Sequence, residues 1–242
     1  MATPSTLIFD FGGTLDGPAH WLDRFLASYR AAGVEITRAE LDPAFDDATR
    51  IGYGATRVVA RFGLTDLVRF LVGHQFEYLR KSGPDPLRTK LGDAGAGGRH
   101  RYVEAVTRAF VHDTSAGLAH SREVVDALRS RFRLGIVSNF YGNLDNILAE
   151  AKLERFFAAV VDSSRIGIFK PDAGIFESAL KKLGCAPEGA AMIGDSLGKD
   201  CAPARQLGMR TVWLRTDPQN DDNGSAADFT IRSIDDVAQI QW

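Results

Sequence analysis

Leu7-Ile8-Phe9-Asp10-Phe11-Gly12-Gly13-Thr14 is a short apolar run that ends abruptly on an acid and a glycine turn. A run this short, without polar alternation and closed by glycines, reads as a strand buried on both faces, with Asp10 at its carboxyl end. Four later runs have the same character: Leu134-Gly135-Ile136-Val137, Ala158-Ala159-Val160-Val161, Ala190-Ala191-Met192-Ile193 and Thr211-Val212-Trp213-Leu214. Helical stripes separate them. Val124, Val125, Leu128 and Phe132 recur at helical spacing, as do Ile175, Phe176, Ala179, Leu180 and Leu183, with Pro171 near the start of the second stripe and Gly184 just past its end. Strands alternating with helices predict an α/β fold, a doubly wound and mostly parallel sheet of the Rossmann type.

The stretch from 18 to 113 breaks that rhythm. It holds no buried-strand run but several amphipathic patterns, among them Trp21, Leu22, Phe25, Leu26 and Tyr29, then Val58, Val59 and Phe62, then Leu67, Phe70 and Leu71. Four to six helices inserted after the first strand account for it. The chain therefore divides into an α/β core of residues 1–17 and 114–242 and a helical domain of 18–113. Two segments read as loops: Gly92-Asp93-Ala94-Gly95-Ala96-Gly97-Gly98, which follows no strand and so is a poor dinucleotide site, and the polar residues 217–225.

Composition narrows the function. In 242 residues, 29 Lys+Arg against 31 Asp+Glu leave a net charge of −2, with no basic surface to attract nucleic acid or a membrane. Two distant cysteines, Cys185 and Cys201, make neither a disulfide framework nor a metal motif. The N-terminus has no basic stretch followed by an apolar run, so the expected setting is cytoplasmic. The five histidines fall in no ligand spacing; His20, just past the first motif, merits a test as a catalyst.

Chemistry gathers at the strand ends, where a doubly wound sheet presents its ligands. Asp10 follows the first strand, Ser138 follows Ile136-Val137, Lys170 follows Ile166-Gly167-Ile168-Phe169, and Asp195 follows Met192-Ile193-Gly194, with Asp200 five residues on. Acids, a hydroxyl and a cation at one crevice suit phosphoryl transfer. A carboxylate becomes a competent nucleophile once a hard cation such as Mg²⁺ suppresses its repulsion by the phosphate. Lys170 and Ser138 would hold phosphoryl oxygens, and glycines at 12 and 13 would let the backbone come close. Asn139 faces the site or caps the next helix, Asp200 supports the metal or caps a helix, and Asp16 is a turn residue.

Asp10-Phe-Gly-Gly-Thr-Leu-Asp16, Ser138-Asn139, Lys170-Pro171 and Gly194-Asp195-Ser196-Leu-Gly-Lys-Asp200 resemble, in order, the four motifs of the haloacid dehalogenase (HAD) superfamily. The resemblance implies an HAD-like core with a helical cap inserted after the first motif. It implies Asp10 as nucleophile, with Lys170 as its catalytic partner. A Mg²⁺ site follows at Asp10, the Gly12 carbonyl and Asp195, with Asp200 beside it, and phosphate contacts at Gly13, Ser138, Asn139 and Lys170. The expected partner is a small phosphorylated substrate. Phosphatases of this superfamily usually carry a general acid two residues after the nucleophile, where this chain has Gly12. Members that cleave C–P bonds without that acid use a cap lysine, and Lys81 and Lys90 are the cap lysines here. Dehalogenases lack the acid and need no metal, whereas Asp195 and Asp200 are both present. A degenerate member that binds a phosphorylated ligand without turnover also fits Gly12.

Overall fold

The computed structural model describes residues 3–85, 87–93, 95–216 and 227–242. The chain opens with β1 (Thr6–Phe9) and a wide turn over Phe11–Leu15. The helices α1 (Trp21–Ala31), α2 (Arg38–Gly54), α3 (Thr56–Val59), α4 (Leu64–Ser82), α5 (Leu87–Asp93) and α6 (Gly95–Leu128) follow. Then come β2 (Arg133–Ser138), α7 (Leu144–Glu150), β3 (Ala159–Asp162), α8 (Ser163–Ile166), α9 (Ala173–Leu183), β4 (Ala190–Gly194), α10 (Ala202–Gln206), β5 (Arg210–Leu214) and β6 (Phe229–Ile231).

The six strands form one sheet in the order β3-β2-β1-β4-β5-β6, every neighbour parallel. The α/β, doubly wound class expected from the sequence is therefore observed. β1 sits in the middle, with Phe9 opposite Ile136 on one side and Ile193 on the other. Its four residues are all buried, which is why they carry no polar alternation. On one face Ile8, Val137, Val161 and Met192 pack in a single core with Ile175, Phe176 and Ala179 of α9. Asp172 caps the start of α9 by accepting the Gly174 N–H, and Gly184 ends it in the left-handed conformation.

The described chain separates into two compact units, Met1–Ala19 with Ser115–Trp242, and His20–Thr114. Within the second unit an aromatic cluster ties α1 to α6. Phe25 stacks on Phe110 with ring centroids 4.2 Å apart, and Trp21 meets the same ring edge-on at 5.1 Å. The buried Arg24 guanidinium lies 4.7 Å from the Phe110 centroid and donates to Asp113 at 2.8 Å. Packing of aromatic faces and a paired cation thus holds this unit's helices, whose local propensities alone are modest.

Two expected features change. The glycine-rich stretch from 92 to 98 is not a loop: Gly92 and Asp93 end α5 and Gly95–Gly98 open α6, with Ala94 outside the described residues. Helix α6 runs for 34 residues, and once a helix is nucleated each further turn costs little, so glycines at its end are tolerated. Residues 166–169, expected to be a strand, form none: α8 ends at Ile166, and Gly167 turns the chain with φ +71°. The polar segment 217–225 lies outside the described residues. Among the described residues no helix is long and apolar enough to cross a membrane.

Candidate active site

Asp10 leaves the sheet at the point where β1 stops. Its N–H still donates to the Ile193 carbonyl at 2.8 Å, and its Oδ1 accepts the Phe11 N–H at 2.7 Å. The strand ladder therefore fixes the backbone, and the following peptide fixes the carboxylate. Gly12 has φ −71° and ψ 120°, ordinary extended backbone, whereas Gly13 has φ +80°. The Gly13 N–H donates to Asp16 Oδ1 at 2.8 Å, and Asp16 is fully buried, so the turn closes on its own acid.

Asp195 follows β4, the other neighbour of β1. Its backbone carbonyl accepts the Trp213 indole N–H at 3.0 Å. A Cβ on Gly13 would stand 2.4 Å from Asp195 Oδ2, and one on Gly194 2.4 Å from Asp200 Oδ2. Both glycines are where a side chain would collide with a site carboxylate. Gly13→Ala, strained at its positive φ and clashing besides, is expected to lower kcat about 10²-fold and the melting temperature by a few degrees. Steady-state kinetics and a thermal melt check it; a rate within twofold of wild type would contradict this reading of Gly13.

Lys170 does not come from a strand end. It lies on the loop between α8 and α9, buried, with its Nζ donating to Asp10 Oδ1 at 2.8 Å and to Asp200 Oδ1 at 2.6 Å. Burial alone would push the ammonium down, but Asp10 and Asp200 outweigh it and hold the pKa above its usual value. Asn139, expected at the phosphate or as a helix cap, brackets this residue's backbone, and α7 has no side-chain cap. Its Oδ1 accepts the Lys170 N–H at 2.7 Å and its Nδ2 donates to the Lys170 carbonyl at 3.0 Å. Asp200 is no cap for α10, which has no side-chain cap; it accepts the Ser196 N–H at 3.0 Å as well as Lys170. Ser138 ends β2 and is buried.

One carboxylate oxygen each from Asp10, Asp195 and Asp200 lies within 4.8 Å of the others. Three acids share one ammonium, and the imbalance shows in their proton affinities. Burial and the charges of Asp10 and Asp200 push the Asp195 carboxyl up to about 8. Burial raises Asp200 too, to about 6, with Lys170 opposing and Asp10 adding to the rise. Hard oxygen donors crowded together with surplus negative charge fit a divalent cation such as Mg²⁺.

His20, exposed, caps α1: its Nδ1 accepts the Leu22 N–H at 3.2 Å, and its ring meets Phe45. Residue types and spacing gave no sign of the Asn139 bracket, of Trp213, or of Thr14, whose buried hydroxyl has no hydrogen-bond partner among the described residues. Thr14 stood within the first motif but carried no role there; the others depend on residues distant in the chain.

A family model described as haloacid dehalogenase-like hydrolase matches residues 4–208. The chain is similar to a glyceraldehyde 3-phosphate phosphatase of Methanothermobacter thermautotrophicus, at 30% identity over 59% of this chain and 61% of the relative. It is similar to a phosphoserine phosphatase of Thermus thermophilus, at 32% identity over 66% of this chain and 61% of that protein. The matches thus span about three fifths of these relatives' length. A crystal structure of a dehalogenase with intermediate complex superposes with a TM-score of 0.63 at 17% identity, covering 99% of this chain and 97% of that one, a likeness of fold.

Proposed function

This chain belongs to the haloacid dehalogenase-like hydrolase family, and we propose from that premise that it is a Mg²⁺-dependent phosphatase acting on a small phosphorylated metabolite. The observation that carries the reading is the convergence of Asp10, Asp195 and Asp200 on one point, with Lys170 bonded to two of them. The relatives named as glyceraldehyde 3-phosphate and phosphoserine phosphatases support the substrate class.

In this reading Asp10 attacks phosphorus, the P–O bond to the alcohol breaks, and water then hydrolyses the aspartyl-phosphate, returning the Asp10 carboxylate and inorganic phosphate. The attacking oxygen is Oδ2, because Oδ1 is held by Phe11 N–H and Lys170. Lys170 neutralises charge on the phosphoryl oxygens, and Ser138 donates a hydrogen bond to them. Asp200 and Asn139 hold Lys170, by its ammonium and by its backbone. A Mg²⁺ ion held by Asp10, Asp195 and the Gly12 carbonyl, with Asp200 beside it, would supply positive charge to the phosphate when bound. The helical unit His20–Thr114 serves as the cap, and substrate choice resides there.

An aryl phosphate tests the reading, because its good leaving group needs little help from an acid. Hydrolysis that requires Mg²⁺ is expected; no turnover with or without Mg²⁺ would end it. Gly12 favours one alternative, a member that binds a phosphorylated ligand without turnover, which tight binding of that ligand without hydrolysis would reveal.

The raised acids give a second test that needs no substrate. A carboxyl whose folded pKa lies above its unfolded value of 3.8 contributes stability below about pH 4, and that contribution is lost as pH rises towards the folded value of about 8. In the metal-free protein this cluster should therefore cost more stability as pH rises from 4 to 8. Mg²⁺ at 100 times its dissociation constant should raise the melting temperature by roughly 5–10 °C at pH 8. The gain should shrink at pH 6, where protons compete. A gain that is absent, or independent of pH, would count against a metal at these three acids.

A further inference from the structure

The loop that follows β2 and the loop that carries Lys170 are locked together, and the lock starts at an acid outside the site. Asp162 ends β3 directly opposite Ser138 in the strand ladder and is buried. Its Oδ2 accepts the Gly142 N–H at 2.8 Å and the Leu144 N–H at 3.3 Å; its Oδ1 accepts the Ser164 N–H at 3.0 Å. The three residues after it grip the same loop. Ser163 Oγ accepts the Phe140 N–H at 3.0 Å, Ser164 Oγ donates to the Phe140 carbonyl at 2.5 Å, and Arg165 Nε donates to the Gly142 carbonyl at 2.9 Å. Asn139, one residue before the gripped segment, brackets the Lys170 backbone on both sides.

We propose that Asp162 is a positioning residue for the reaction: by fixing residues 140–144 it fixes Asn139, and through Asn139 the backbone from which Lys170 reaches Asp10. Three backbone N–H groups converge on one buried carboxylate. A merely stabilising acid would need neither the second loop nor the bracket, and a neutral amide could not serve all three donors. Burial without a directly bonded cation raises the pKa of this carboxyl, the expected cost of keeping a charge there for its N–H partners. A shift of under an ångström in a group that neutralises a reacting phosphate is enough to matter.

Asp162→Asn keeps the volume and loses one of the two acceptors. Two measurements test it. The first is amide hydrogen exchange. Faster exchange is expected at the N–H groups that lose their acceptor, Ser164 or Gly142 with Leu144, and, remotely, at the Lys170 N–H, which Asn139 accepts; unchanged protection at Lys170 would overturn the proposal. The second is kinetic and rests on the phosphatase reading. With an aryl phosphate, kcat should fall about 10- to 100-fold. In a Lys170→Met background the same substitution should change the rate less than about twofold, because the two act as one. Independent, multiplying losses would overturn the proposal. A wild-type enzyme inactive on the aryl phosphate would defeat the phosphatase reading and leave the exchange result to decide on Asp162. If Asp162→Asn fails to fold, Ser163→Ala, which removes the bond to Phe140 N–H, meets the same two measurements with the same criteria.

Discussion

Asp10→Asn should fold as the wild type does and lose at least about 10⁴-fold in kcat, the scale of removing a nucleophile that works with its partners as a unit. Asparagine keeps the shape, and its Oδ1 can still accept the Phe11 N–H and the Lys170 ammonium, the two bonds that set the Asp10 side chain. What it lacks is a nucleophilic oxygen at the other position. One negative charge also leaves a cluster in which three acids share one ammonium. The metal-free variant should therefore be no less stable than wild type at pH 8. Single-turnover kinetics with an aryl phosphate and a thermal melt separate the two effects. An undiminished rate would remove Asp10 from the mechanism and with it the proposed intermediate.

The second large effect runs the other way. Gly12→Asp is expected to accelerate hydrolysis of alkyl phosphates by about 10²–10⁴-fold, the usual worth of a positioned general acid. The backbone permits it: φ −71° and ψ 120° suit any residue, unlike the positive φ of Gly13. The gain should depend on the leaving group, being large for a sugar-like alkoxide and small for a nitrophenolate that departs without a proton. Rates plotted against leaving-group pKa provide the measurement. The wild type should show a steep slope and the variant a shallow one; equal slopes would mean that the chain already has an acid elsewhere.

Most of the candidate site was legible because its acids sit at strand ends. Asp10 and Asp195 each follow an apolar run whose burial leaves no other choice of residue, and an acid that breaks such a run draws notice. Lys170 is legible from its motif, but the strand expected before it does not form. Ile166, Ile168 and Phe169 are apolar, yet Gly167 adopts a left-handed turn, and a four-residue helix capped by Asp162 consumes the preceding segment. Phe169 is exposed and Ile166 and Ile168 only half-buried, so local apolarity here marks a surface loop rather than a strand. The glycines from 92 to 98 misled in the opposite direction, since a 34-residue helix can absorb at its end what a short one could not.

The sequence by itself determined the class of the fold, the insertion of helices after the first strand and which charged residues to look for at the candidate site. Each of those is written in local patterns: the length of an apolar run, the period of a stripe, an acid after a strand. Only the tertiary structure decided the strand order that puts β1 between β2 and β4. It alone made Asn139 a bracket for Lys170 and linked Asp162, through the loop after β2, to the site. Those facts rest on hydrogen bonds between residues 18 to 31 positions apart and on carboxylates brought together from opposite ends of the chain. No local pattern encodes such pairings, because their energy depends on burial and geometry that exist only after the sheet has closed.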